Sequence, residues 1–177
     1  MLATVLNRLF WISLVLALAV YGAMVGWSLP RIAAEAGGLA AFDLRPLGYS
    51  YDEAVAFLAR LSPAGHSFYL EIQHRLDSAY PILLALTLAS GTALLVPPRL
   101  GSWKWLLAAT ALPGMVFDYR ENALVAELLT TPPDAIDPAL VASASLATQI
   151  KSLSTAVAML IFLILLVWAL RRRMLQS

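Results

Sequence analysis

The chain contains no cysteine, which removes disulfides, zinc–thiolate centres and thiol chemistry from consideration. It is also poor in charge, with 13% Asp, Glu, Lys and Arg, about half the share found in soluble domains. The net charge is only +1, so bulk electrostatics point to no nucleic-acid partner. There is no glycine-rich phosphate loop, no His-Glu-x-x-His, no Gly-x-Ser-x-Gly and no haem-ligand pair, so no cofactor is expected. What is abundant is apolar: 60% of the 177 residues are hydrophobic, a surplus that has to face something other than water, and lipid is the natural surrounding. By length the chain is a single domain.

Four stretches are expected to cross a bilayer, at about 9–29, 79–96, 103–121 and 153–170, each long enough for a hydrocarbon core of about 30 Å. The first is longer than the apolar region of a cleavable signal and is read as a retained anchor. With both termini on one side, that side holds Arg8, Arg99, Lys104 and Arg171, Arg172 and Arg173 and no acidic residue, while all 11 carboxylates fall on the other. The positive-inside rule then puts both termini and the 97–102 turn in the cytoplasm. Trp103-Lys104-Trp105 reads as an interfacial anchor, and Gly22-x-x-x-Gly26 as a close helix contact inside the bundle.

The outer segments, 30–78 and 122–152, differ in kind. Gly37-Gly38 and Arg45-Pro46-Leu47-Gly48 read as loop. Ser50 followed by Glu53 is a capping box that opens a short helix at 51–61. Ser62-Pro63 begins a longer helix that continues into the second span, and Asp137-Pro138 begins one that runs to the C terminus. The expected fold is all-α: a polytopic four-helix bundle whose helices overhang the outer face beneath a short amphipathic cap helix.

Polar residues on three of these helices fall at one depth. Counted from the inner ends, Asp77 lies 19 residues from Val96, Asp118 and Glu121 lie 15 and 18 residues from Trp103, and Lys151 lies 19 residues from Leu170. At about 1.5 Å per residue these are roughly 22–28 Å. Helical spacing puts His74, Asp77 and Pro81 on one face, Asp118, Glu121, Asn122 and Val125 on another, and Thr148, Lys151, Ser152 and Thr155 on a third. Arg120 points away from that layer. Charges at such a depth turn inward and pair, so Lys151 is expected to meet Asp118 or Glu121, and His74 to meet Asp77. Pro81 cannot donate to the carbonyl of Asp77, nor Pro113 to that of Ala109. The two prolines are expected to splay the helices into a wedge open to the outer leaflet.

The order Gly48-Tyr-Ser-x-x-Glu-Ala, Gly65-x-x-x-Tyr69, Leu76-Asp77-x-x-Tyr-Pro81 and Asp118-x-x-Glu121-Asn122 resembles a pattern in uncharacterised bacterial four-span membrane proteins. It covers most of residues 48–125. The architecture alone is similar to that of sterol-isomerase and sigma-2-receptor-like proteins, whose motifs do not match here residue by residue.

Three functions fit. One is a binding or transport-accessory protein in which Asp77, Asp118, Glu121, Asn122, Lys151, His74 and Thr148 hold the polar end of a lipid-like or amphipathic small molecule. Another is an intramembrane acid–base enzyme acting on a lipid, with Asp77, Glu121 and His74 as its candidates. The third is a structural or assembly protein in which the layer fixes helix packing. An oxygen-rich metal site from His74, Asp77, Asp118 and Glu121 is conceivable, but nothing in their spacing demands it. Membrane lipids are the expected surroundings.

Overall fold

Long runs of Ala, Leu and Val with few breakers favour helix almost throughout. The computed structural model describes residues 1–175. The chain is all-α, 86% helical, with no strand among the described residues. Helix α1 (Leu2–Ala23) passes through a π-helical turn, Met24–Ser28, into α2 (Leu29–Glu35). That helix ends in a Schellman arrangement: the Gly38 N–H donates to the Ala33 carbonyl at 2.7 Å and the Gly37 N–H to that of Ala34 at 3.3 Å. Gly37 takes φ +63° there, as such an ending requires.

A loop with a 3₁₀ turn at Phe42–Leu44 leads to α3 (Tyr51–Arg60). The capping box is formed: the Glu53 N–H donates to Ser50 Oγ at 3.3 Å, and the Ser50 N–H to Glu53 Oε2 at 2.7 Å. Ser62 caps α4 (Pro63–Phe68) by accepting from the Gly65 N–H at 3.0 Å. A second π turn, Tyr69–Gln73, joins α4 to α5 (His74–Leu95) without interrupting the rod. Then come α6 (Trp103–Ala109), α7 (Ala111–Thr130) and α8 (Pro138–Met174), the last opened by Asp137, which accepts from the Ala139 N–H at 2.8 Å.

Among the described residues three helical rods are long and apolar enough to cross a membrane: Leu2–Glu35, Pro63–Leu95 and Pro138–Met174. The segment expected as the third span, 103–121, is not one of them. It breaks at Thr110, whose hydroxyl donates to the Leu107 carbonyl at 2.6 Å. Pro113, in the first turn of α7, has no N–H for the carbonyl of Ala109. Farther along, α7 carries Asp118, Arg120, Glu121 and Glu127.

Helix α1 packs along α5, α5 against α7 and α8, and α7 along α8. The buried line of the first rod is Ser13, Ala17, Met24 and Ser28, so Gly22 and Gly26 face away, with nothing within 4 Å of where a Cβ would stand. The close contact expected of them is absent. Close approach occurs instead at Gly114, where a Cβ would lie 2.5 Å from Thr155 Oγ1, and at Gly91, where it would lie 2.5 Å from the Phe162 ring.

Two apolar clusters form. The outer one joins Ile32, Phe42, Phe57, Leu128 and Val141, all under 2% exposed, and seats the 36–61 segment on α7 and α8. The Phe42 and Phe57 rings meet edge-on at 4.9 Å. The inner one gathers Ala85, Leu88, Ala111 and Ala158, with Met115 and Phe162 against them. On α5, α7 and α8 alike, the polar residues fall between these clusters.

Candidate functional site

Helix α5 and the turn before it present Tyr69, Gln73, Asp77 and Pro81 at successive four-residue intervals, all buried. One face of the rod is therefore polar where it meets its neighbours. The carbonyl that Pro81 leaves free has found its donor: Asn122 Nδ2 on α7 donates to the Asp77 carbonyl oxygen at 3.0 Å. One residue along, the Tyr119 hydroxyl donates to the Ser78 carbonyl at 3.0 Å. These two bonds fix α7 against α5.

Across α7, Glu121 and Asp118 turn to α8. Lys151 Nζ makes an ion pair with Glu121 Oε2 and lies 3.6 Å from Asp118 Oδ1. Thr148 Oγ1 donates to Glu121 Oε1 at 2.5 Å. Glu121 is 1% exposed and Thr148 fully buried, so this pairing is removed from water and depends on its own geometry. Arg120 is exposed, on the side expected for it.

Asp77 departs from expectation. Its carboxyl is not joined to His74, which is half-buried and makes no side-chain hydrogen bond or ion pair among the described residues. The group beside it is Asp43, from the 3₁₀ turn of the cap. Tyr69 donates its hydroxyl to Asp43 Oδ2. Asp77 Oδ2 receives no hydrogen bond from any donor among the described residues. The partner expected on the same helix face thus comes instead from a loop.

The cap contributes Tyr49 as well. Its N–H donates to Ser145 Oγ at 2.8 Å, and its hydroxyl faces Thr148 and Glu121. Burial, then the Glu121 carboxylate, push this phenol above its ordinary range. Beside it, Gln149 Nε2 donates to the Leu47 carbonyl at 2.9 Å. Gly48, at φ +84°, permits this contact, since a Cβ there would lie 2.5 Å from both Gln149 Nε2 and Ser145 Oγ.

The expected open wedge is not present. Pro81 lies inside a helix that continues to Leu95, and Gly114 brings α7 onto Thr155 of α8 just below the layer. The cavity there is about 10 Å³, lined by Pro81, Leu88, Gly114, Met115, Asp118 and Thr155, room for one water at most. On the other side the Phe42–Phe57–Leu128 cluster closes the layer. Among the described residues, no three His, Asp or Glu side chains are arranged to hold a metal ion.

Of the residues expected in the site, Asp77, Asp118, Glu121, Asn122, Lys151 and Thr148 meet in this layer, and His74 stands at its flank. Asp43, Tyr49, Tyr69 and Gln73 were not foreseen. Tyr69 and Gln73 carried a usable signal, the four-residue spacing that ends on Asp77. Gln73 Oε1 accepts from Ser28 Oγ at 2.6 Å, which ties the π turns of the first two rods together.

The fold and site define an all-helical protein with three helices, among the described residues, long and apolar enough to cross a membrane, and with a buried polar layer shared by α5, α7 and α8. No protein-family model, curated protein or solved structure matches the chain.

Proposed function

We propose that the chain is a multi-pass protein of the bacterial cytoplasmic membrane. In this reading its long helices form a four-helix bundle, with α6 and α7 together as the third member and both termini cytoplasmic. The polar layer is a structural fastening that holds the outer cap on the bundle and sets the register of α5, α7 and α8. The distribution of charge supports the orientation: six basic residues and no acidic one at the end that carries both termini. The observation that carries the functional reading is closure. A cavity of about 10 Å³ beside Asp118 leaves no room for a lipid-like molecule, whose sites are typically several hundred Å³.

The test is charge removal in steps, with unfolding in detergent as the readout. Lys151→Met alone leaves Glu121 and Asp118 buried and unpaired, and is expected to cost about 3–5 kcal/mol. Adding Glu121→Gln and Asp118→Asn should recover more than half of that loss. A combined variant no more stable than Lys151→Met would remove the fastening as the explanation of the layer.

One observation favours a second reading, in which the layer binds the polar end of a lipid-like or amphipathic molecule once the cap lifts. Four carboxyl groups, Asp43, Asp77, Asp118 and Glu121, gather about Lys151, the one cation paired with any of them among the described residues. A layer built only for packing has no need of that surplus. Mass spectrometry of purified protein separates the two readings. A small molecule retained by the wild type and lost from an equally stable Asp77→Asn variant supports binding; its absence from both supports the fastening.

A further inference from the structure

The inner end of the molecule has a different chemistry. Between the start of α1, the end of α5 and the turn that leads into α6 lies a groove of about 590 Å³, open at the surface. Its walls are apolar, from Leu2, Leu6, Ala93 and Val96, and its polar groups come from Ser102 and Lys104. Lys104 is half-buried, with Nζ 5.0 Å from the Trp105 ring centroid, and makes no ion pair among the described residues. No carboxylate occurs in residues 1–34 or 78–117, so nothing on the stretches of α1, α5 and the turn that build the groove offsets its charge. The Arg99 and Arg172 guanidinium groups lie 5.7 and 4.8 Å from the Trp168 ring centroid, on α8 rather than in this groove. The shallow groove beside Trp168 and Arg171 is lined by α8 alone, whereas this one has walls from two helices and a floor from the turn.

An apolar trough with one uncompensated ammonium fits an anionic amphiphile: acyl carbons against Leu2, Leu6 and Val96, and a phosphate at Lys104 and the Ser102 hydroxyl. We infer that this groove holds the headgroup region of an anionic phospholipid of the cytoplasmic leaflet. The inference rests on the membrane orientation proposed above. It assigns a lipid to the opposite end of the molecule from the polar layer. Basic pockets between helices on the cytoplasmic side recognise such headgroups, each Lys or Arg near the surface adding about 1 kcal/mol, or roughly fivefold.

The experiment reconstitutes the full chain into phosphatidylcholine nanodiscs containing a minor fraction of phosphatidylglycerol, releases it, and counts retained lipids by native mass spectrometry. The wild type should retain phosphatidylglycerol in preference to phosphatidylcholine. Lys104→Gln should reduce that preference about fivefold, and Lys104→Arg should keep it. Ala3→Phe, which fills the groove without altering charge, should abolish retention, and Arg171→Gln should leave it unchanged. Equal preference in wild type and Lys104→Gln would overturn the assignment. So would displacement of the lipid by millimolar inorganic phosphate, which would make the occupant a free anion. A chain that enters nanodiscs but shows no preference refutes this site alone; a chain that never enters membranes refutes the orientation beneath it.

Discussion

The sharpest test of how this fold is held together is the bond between Asn122 and the carbonyl of Asp77. Pro81 has no N–H, so that carbonyl lacks its helical donor. Asn122 Nδ2 supplies one from α7 at 3.0 Å. Both residues are buried, at 6% and 3% exposure, so water does not reach the oxygen when the amide is removed. Interhelical hydrogen bonds in membrane proteins average about 0.6 kcal/mol and reach about 1.7, while a buried acceptor left unpaired costs about 1–3 kcal/mol. The Asp77 carbonyl belongs to the second case, and Asn122→Ala should cost about 1–2 kcal/mol. In a Pro81→Ala background the new N–H of residue 81 can donate to the same oxygen. There Asn122→Ala should lose only packing, and the double-mutant cycle should show about 1 kcal/mol of coupling. Reversible unfolding in mixed micelles by increasing SDS measures all four proteins. Equal cost of Asn122→Ala in both backgrounds would refute the pairing of amide to proline-freed carbonyl.

The cap supplies two more tests. Gly48→Ala should cost about 1–3 kcal/mol from backbone strain at φ +84° alone. It should also expose the 39–49 loop to protease, because its Cβ would displace Ser145 and Gln149; Gly38→Ala, strained at φ +89° but with open space around it, should leave the loop protected. Glu53 has its carboxyl held below the ordinary range, first by the Ser50 N–H and then by the Ser50 hydroxyl. Because its folded value lies below its unfolded one, the stabilisation is complete above the ordinary carboxylate range and is lost as pH falls through the lower folded value. Protection of the α3 amides, measured as exchange relative to the intrinsic rate at each pH, should therefore fall on acidification in the wild type, and be lower at neutral pH and less sensitive to acid in Glu53→Gln. Identical pH profiles in the two would remove the capping box as the cause.

Much of the helical framework was legible because its signals are local. Ser50 with Glu53, Ser62-Pro63 and Asp137-Pro138 each place a side-chain acceptor over the first free N–H groups of a helix, and each formed as spelled. The π turns at Met24–Ser28 and Tyr69–Gln73 had no such spelling. Each widens one turn and shifts the phase of the helix beyond it. Gly22 and Gly26 were misjudged for a different reason: small residues permit close approach, but Ser13, Ala17, Met24 and Ser28 already form the contact line on that rod. The segment expected as the third span is not one unbroken helix: Pro113 leaves the Ala109 carbonyl without its helical donor, and α6 and α7 part at Thr110.

The layer itself was legible because a helix is a ruler. With a rise of about 1.5 Å per residue, counting from the inner ends was enough to bring Asp77, Asp118, Glu121 and Lys151 to one level before any contact was known. Loops carry no such ruler. Asp43 lies in a short turn between Gly38 and Gly48, with no period to give it a depth or a face, and no count along the chain would bring it to Asp77. Its arrival also explains why His74 stands aside. The position beside the Asp77 carboxyl is filled by a group from the cap, which Tyr69 holds from farther out on the same rod. The wedge failed on the same ground. Proline removes a donor and so invites an opening, but whether the opening persists depends on what arrives to fill it, and here Asn122 reached the freed carbonyl from a neighbouring helix.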